Sequence, residues 1–203
     1  MKKIVFITQR QDKIGKFGEN RDNIDVRFFK LFVALKLKPV LVPNNLFILN
    51  SLLKILKPTY IILSPGGDPR KKNVRKVIES KLISYSIRNS IPLLGICRGA
   101  QTLNIFFGGR LIRIKNHVRK NHEIFGKIVN KNNSVKVNSY HDFGIKKKNL
   151  GKGLVCMSQA KDGSVECFKH KKNKILGIMW HPERNKKIKN FDKKILKKYF
   201  ICN

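Results

Sequence analysis

Pro92-Leu-Leu-Gly-Ile-Cys-Arg-Gly-Ala-Gln101 is the stretch whose reading decides the fold. It joins a short apolar strand, Pro92 to Ile96, to a helix that starts at Arg98, with Cys97 at the joint. Gly95 and Gly99 flank the cysteine at two residues on either side. This is the G-x-nucleophile-x-G spacing of a nucleophile elbow, with Cys in place of Ser. The strand-to-helix turn is too tight for side chains at those two positions. The turn also places the sulfur at a helix N-terminus, where the dipole and unpaired N–H groups favour a thiolate. The alternative is a cysteine that only packs, since free Cys is among the most buried residue types.

Working outward, Lys3 to Thr8 is predicted as a buried strand and Gln9 to Asn23 as a polar loop or lid. Ile24 to Lys38 places Val26, Phe29, Phe32, Val33 and Leu37 near helical period, and Pro39 stops it. Val40 to Val42 is a second strand. Asn44 or Asn45 can cap a helix from Leu46 to Lys57. Tyr60 to Leu63 is a third strand, running into the Gly- and Pro-rich turn Ser64 to Pro69. Asn73 to Asn89 is helical, and Pro92 opens the strand before Cys97. Such alternation means a mostly parallel, doubly wound α/β sheet with helices on both faces. Ligands in such sheets bind beyond the carboxyl ends of the strands, where Cys97 and the Gly66-Gly67 turn both fall. After Gly109 the chain becomes strand-rich. Strands are expected at Arg110–Ile114, Glu123–Val129, Ser134–Asn138, Leu154–Gln159, Val165–Phe168 and Lys174–Met179, with a hairpin turn at Asp162-Gly163. Ile188 to Phe200 is a basic amphipathic helix covering the sheet. The 203 residues contain no repeat or linker and are expected to make one α/β domain, 1–203, with room for at most a small second lobe.

The four apolar residues Ile4 to Ile7 are too short for a signal-peptide core. No apolar run nears the ~20 residues of a membrane span, so no membrane role is read and the expected location is cytoplasmic. Lys+Arg exceed Asp+Glu by 45 to 12, a net charge of +33. Such a field attracts nucleic acid, anionic lipid or acidic substrates. The lysines are scattered, however, and no recognition motif accompanies them, so a nucleic-acid role is set aside. Cys97, Cys156, Cys167 and Cys202 form no C-x-x-C pair, which argues against a zinc site built on them. Cys156 and Cys167 can face each other across a hairpin, but reduced thiols are expected.

A cysteine nucleophile needs a base, and the base an orienter. Of five histidines, His181 stands out in Trp180-His-Pro-Glu183, at the end of an apolar strand. Glu183 is close enough to fix its tautomer and is one of only 12 acids. The developing oxyanion would meet the N–H of Arg98 and a second donor from Gly66-Gly67.

Gly95-Ile-Cys-Arg-Gly-Ala-Gln101, Ser64-Pro-Gly-Gly67, Val137-Asn-Ser-Tyr-His141 and Trp180-His-Pro-Glu183 together resemble a class I glutamine amidotransferase domain. The resemblance runs from the first strand to Glu183, and the four motifs in that order are specific. It implies a Cys97, His181, Glu183 triad and an oxyanion hole at Gly67 and Arg98. It further implies that Gly66, Gln101, Ser139, Tyr140 and His141 hold the glutamyl group. The reaction it implies passes through a γ-glutamyl thioester and needs no metal or organic cofactor.

Arg98 after the nucleophile and the Val-Asn-Ser-x-His form at 137–141 are similar to stand-alone γ-glutamyl hydrolases of the γ-glutamyl-γ-aminobutyrate type. The opening Ile7-Thr-Gln-Arg10, with Arg21, Asp22 and Asp25, resembles a short bacterial subgroup associated with surface-sugar pathways, which includes γ-glutamyl-CDP-amidate hydrolase. The chain departs from the larger hydrolases at Asp68-Pro-Arg-Lys71 and at Asp142-Phe-Gly144, positions facing the leaving group. The expected partner is a small γ-glutamyl substrate. A glutaminase subunit serving a separate synthetase, and a catalytically idle basic binding protein, are the alternatives. Arg70, Lys71 and Lys72 either overhang the leaving-group side or are placed there by chance, lysine being abundant throughout the chain.

Overall fold

The computed structural model describes residues 3–129 and 133–201. Five strands make a parallel half-sheet: β1 (Ile4–Thr8), β4 (Lys38–Val42), β5 (Tyr60–Leu63), β6 (Leu93–Ile96) and β13 (Ile175–Ile178). Four more continue it in antiparallel fashion: β12 (Val165–His170), β11 (Leu154–Ala160), β8 (Val118–Phe125) and β9 (Val135–Tyr140). The order across the nine-stranded sheet is β4-β1-β5-β6-β13-β12-β11-β8-β9. The two halves meet at β13, parallel to β6 and antiparallel to β12. The strands β5, β6 and β13 are buried along their whole length. They are therefore apolar at every position, as strands covered on both faces must be. β4 lies at the edge, which is where Pro39 can sit without breaking a ladder on both sides.

The helices α1 (Phe28–Leu35), α2 (Leu46–Leu56), α3 (Val74–Arg88), α4 (Arg98–Phe106) and α5 (Asn190–Leu196) cover the faces. Asn45 and Asn73 cap α2 and α3, their side chains accepting from Ile48 N at 3.1 Å and Lys76 N at 2.9 Å. Asn44 instead binds the Asp22 carboxylate. One core lies under α1 and the C-terminal helix, around Val5, Ile7, Phe32, Leu94 and Trp180. The other lies under α2, α3 and α4, around Phe6, Leu63, Ile78 and Leu103. Each such side chain contributes about 1.5–3 kcal/mol by leaving water.

Several boundaries differ from the sequence reading. Helix α1 is shorter than Ile24 to Lys38: it starts at Phe28, and Lys36 ends it in a left-handed conformation (φ 55°). Its buried face is Phe28, Leu31, Phe32 and Leu35, whereas Val26, Phe29 and Val33 are exposed. Gln9 to Asn23 is a hairpin rather than a loop, with β2 (Arg10–Ile14) paired to β3 (Glu19–Asn23). Its strands are polar on both faces and held by cross-strand bonds such as Asn23 Nδ2 to Asp12 Oδ2, 3.0 Å. β7 shrinks to Ile112–Arg113, paired with β10 (Phe143–Gly144). β8 starts five residues before Glu123 and ends at Phe125, where Gly126 (φ 129°) turns the chain away. Asp162-Gly163 does turn the β11–β12 hairpin, the Asp162 carboxylate accepting from Ser164 N at 2.9 Å. Cys156 lies opposite Phe168 rather than Cys167, and both thiols are free. Cys202 lies outside the described residues. Among the described residues no helix is long and apolar enough to cross a membrane.

Candidate active site

Cys97 closes β6 at φ 50° and ψ −105°, a conformation that side-chain-bearing residues avoid. The two glycines make it attainable. A Cβ on Gly99 would lie 2.1 Å from the Leu63 carbonyl oxygen, and one on Gly95 2.6 Å from the Gly99 carbonyl carbon. Helix α4 can therefore start directly against β5 and β6 only with glycine at both positions. Cys97 N donates to Ile178 O at 2.7 Å, fastening the elbow to β13.

β13 ends three residues before His181 and delivers it to the same rim. His181 Nδ1 lies 2.7 Å from Glu183 Oε1, with both side chains buried. Nδ1–H donates to that carboxylate, so Nε2 is the nitrogen left to exchange a proton. Nε2 is buried and makes no hydrogen bond of normal geometry to a described residue, and Cys97 lies close enough for its charge to act on the ring. Burial pulls the His181 pKa down, but charge on Cys97 and on Glu183 outweighs it and raises the value to about 9. The buried imidazolium is thus sustained by its two neighbours.

Asn138 and Tyr140, both on β9 and both within the 137–141 motif, support His181. Asn138 clasps its main chain from both sides, Oδ1 accepting from His181 N at 2.8 Å and Nδ2 donating to His181 O at 2.9 Å. Asn138 Nδ2 continues to Asn185 Oδ1 at 3.2 Å, and Asn185 Nδ2 to Asp192 at 3.3 Å. Asp192 also accepts from Trp180 Nε1 at 2.8 Å. Tyr140 stands edge-on to the His181 ring at 5.3 Å, and Arg184 stacks on Tyr140 at 4.2 Å.

The second wall is the Ser64 to Gly67 turn, with Gly66 and Gly67 at φ 91° and 83°. The Gly67 N–H makes no hydrogen bond to any described residue, and Arg98 N is a first-turn amide that a helix leaves open. Beneath the turn, Arg75 donates to the carbonyls of Ser64 at 2.7 Å, Pro65 at 3.3 Å and Gly66 at 2.8 Å. Arg75 also holds Glu79 at 3.0 Å, and Arg98 Nη1 reaches both Glu79 oxygens at 2.5 Å. All three charges are buried. Burial lowers the Arg75 pKa to about 10, against the pull of Glu79. The side chain of Arg98 thus points beneath the turn, to Glu79.

The remaining sequence candidates lie nearby with their polar atoms engaged. Gln101 Nε2 donates to Phe143 O at 2.7 Å and Ser139 Oγ to His117 O at 2.6 Å. His141 is buried, its Nδ1 3.1 Å from Phe143 O, and burial pushes its pKa down to about 4. Arg70 is taken up by Asp68 at 2.7 Å and stacks on Phe143 at 3.8 Å. Lys71 has no acid within ion-pair distance among the described residues and lines a depression of about 180 Å³ with Arg10, Gly66 and Gly67. Another depression, of about 630 Å³, lies between β9 and α5 and holds none of these side chains.

An α/β sheet bearing Cys, His and Glu together beyond its strand ends defines a class of enzyme built around a nucleophile elbow. The profile of the family "Glutamine amidotransferase class-I" matches residues 19–202, and the chain belongs to that family of enzymes acting on amide C–N bonds. It is 41% identical over 146 residues to the γ-glutamyl-CDP-amidate hydrolase of Campylobacter jejuni, covering 69% of this chain and 68% of that one. It is 30% identical over 191 residues to anthranilate synthase component 2 of Cyanophora paradoxa, covering 91% and 96%. A glutamine amidotransferase from Thermotoga maritima shares the fold, with a TM-score of 0.66 at 16% identity over 90% of this chain and 77% of that one.

The pH dependence of this site follows from His181. Its folded pKa is raised, so the charged ring and its stabilising contribution are fully present below the ordinary value of 6.5 and are lost as pH rises through about 9. A mechanism in which His181 protonates a leaving amine would lose that proton over the same range. Single-turnover acylation measured from pH 7 to 10 is expected to fall along an alkaline limb with an apparent pKa near 9. A flat profile to pH 10 would contradict this assignment.

Proposed function

We infer that this chain hydrolyses the γ-amide of a γ-glutamyl conjugate through a γ-glutamyl thioester on Cys97. The observation that carries the reading is the elbow cysteine sharing one rim with the His181–Glu183 pair and the Gly67 turn. The Cys97 sulfur attacks the γ-carbonyl carbon, and the oxyanion is met by the N–H groups of Arg98 and Gly67. His181 gives its proton to the leaving nitrogen as the C–N bond breaks. It then takes a proton from water, which opens the thioester and releases glutamate. Gly66, Gln101 and the Ser139 to His141 segment surround the glutamyl end. With the side chains of Ser139, His141 and Gln101 engaged within the protein, the main chain there is what remains to hold it.

The similarity to the γ-glutamyl-CDP-amidate hydrolase of Campylobacter jejuni supports an amidate joined to a nucleotide as the leaving group. Arg10 and Gly66 line both depressions beside the turn, with Asp25 and Arg184 in one and Asp12, Asp68 and Lys71 in the other. Arg10 is paired with Asp12 and Asp68 with Arg70, which leaves Lys71 as the cation to meet an anionic leaving group. Lys71→Ser is expected to raise KM several-fold for a phosphate-bearing conjugate and leave KM for neutral γ-glutamyl amides unchanged. Equal values for both substrates would remove the phosphate-bearing group from the reading.

A second reading is favoured by the near-complete overlap with anthranilate synthase component 2, a glutaminase subunit supplying ammonia to a synthetase. Assaying the purified chain with glutamine and with a panel of γ-glutamyl conjugates decides between them. Release of glutamate from conjugates by the chain alone is expected. Activity on glutamine that appears only with an added synthetase would favour the second reading.

A further inference from the structure

Outside the triad, His117, His122, His141 and Glu166 meet in one buried cluster. Glu166 is wholly inaccessible on β12, His122 belongs to β8, and His117 and His141 come from the chain just before β8 and just after β9. His117 Nδ1 lies 3.5 Å from Glu166 Oε1, His141 Nε2 3.7 Å from the same oxygen, and His122 Nε2 3.3 Å from Oε2. None of these contacts has hydrogen-bond geometry. Both Glu166 oxygens, His117 Nδ1, both His122 nitrogens and His141 Nε2 are buried without a partner. A carboxylate and three imidazoles left unsatisfied together cost several kcal/mol unless something between them is positive.

The orientation of the rings says what that is. His141 Nδ1 faces the Phe143 carbonyl at 3.1 Å and must donate to it, so the neutral ring turns its Nε2 lone pair toward the Glu166 carboxylate. His117 Nε2 faces Asp162 Oδ2 at 3.3 Å; with its single proton there, the neutral ring turns the Nδ1 lone pair toward Glu166 in the same way, whereas a charged ring would donate from both nitrogens. Lone pairs converging on a carboxylate repel it unless a cation lies between them. The outward nitrogens on a carboxylate and a carbonyl are the usual second shell of metal-bound histidine. The spacing agrees as well. Zinc holds His nitrogen at about 2.0–2.1 Å and carboxylate oxygen at about 2.0–2.2 Å, so tetrahedral ligand atoms lie roughly 3.3–3.5 Å apart. Ligand atoms of His117, His122 and Glu166 all fall within 4.8 Å of one another.

We propose that His117, His122 and Glu166, with His141 as fourth ligand, form a binding site for a divalent transition ion of the zinc class. Imidazole-rich sets select such ions over magnesium or calcium, which demand oxygen. The ion ties β8, β12 and the chain after β9 together, behind the segment that carries Ser139 and Tyr140. It is a structural tie and takes no part in the amide chemistry, so the site stands whether or not the hydrolase reading does.

The test uses untagged full-length protein grown with added zinc and passed through gel filtration, with metal measured by elemental analysis. About one equivalent of zinc per chain is expected, and chelation is expected to lower Tm. Cobalt reconstitution should give a tetrahedral visible spectrum without a thiolate-to-cobalt band in the near ultraviolet. Glu166→Gln and His122→Ala should each weaken metal binding tenfold or more, while His170→Ala and Cys97→Ser retain it. Should either site variant fail to fold, the wild-type stoichiometry and the cobalt spectrum still decide. Less than a tenth of an equivalent in the zinc-supplemented wild type, or a thiolate band that disappears in Cys97→Ser, would overturn the site.

Discussion

Cys97→Ala is expected to lower glutamate release from a γ-glutamyl amide by about 10⁴-fold or more, because nucleophile and base act as a unit. No other described thiol can replace it: Cys167 is fully buried on β12, and burial holds its thiol well above the ordinary range. Cys156, on β11, is also raised by burial. The decisive control is a loss that does not come from unfolding. Cys97 occupies φ 50° and ψ −105°, which costs a non-glycine residue about 1–3 kcal/mol. Cys97→Gly relieves that strain but gives up the buried sulfur and its charge beside His181, and glycine adds backbone entropy to the unfolded chain. A Tm within about 4 °C of wild type, roughly 1 kcal/mol for a chain of this size, should accompany complete loss of activity. A folded and inactive variant would separate catalysis from fold. Cys97→Ala retaining more than a tenth of wild-type turnover would sink the thioester mechanism.

The elbow was legible because its constraint is local. Gly95 and Gly99 are demanded by contacts within one strand-turn-helix unit, and Asn45 and Asn73 cap helices through residues three positions away. The face of α1 was misread because Phe28 and Phe29, and Phe32 and Val33, are adjacent apolar pairs. Either member fits a helical period, and only the sheet beneath selects Phe28 and Phe32. The hairpin at 10–23 has no apolar alternation to announce it, being held by Asp12, Asn23 and their neighbours. The supports of the site lie far apart in the chain. Asn138 is 43 residues from His181, and Glu79 is 19 from Arg98. Arg98 drew attention for its backbone N–H and for its place after the nucleophile, neither of which says where its guanidinium goes; that group faces Glu79 beneath the Gly66-Gly67 turn.

That buried triad carries the second large expectation. Glu79→Gln should destabilise the protein by about 3–5 kcal/mol, because two buried guanidiniums would then face each other across a neutral amide. Tm should fall by roughly 10 °C, measured by calorimetry. Arg75 and Arg98 are 4% and 2% exposed, so water cannot take over from the carboxylate without opening the core. The loss should also reach the chemistry. Arg75 holds the carbonyls of Ser64, Pro65 and Gly66, so its displacement frees the turn that presents Gly67. Well below Tm, kcat should drop by about 10–100-fold, the range lost with one oxyanion donor or less. KM should change little, since substrate and transition state share the other contacts. The two effects can be separated. Replacing Arg75, Glu79 and Arg98 together by Met, Leu and Met removes every buried charge and can restore stability, as apolar replacement of buried ion triads does. It cannot restore the three bonds to the turn. Recovered Tm with kcat still depressed would identify Arg75 and Glu79 as positioning residues for the oxyanion hole. Recovery of both together would reduce the triad to a packing element.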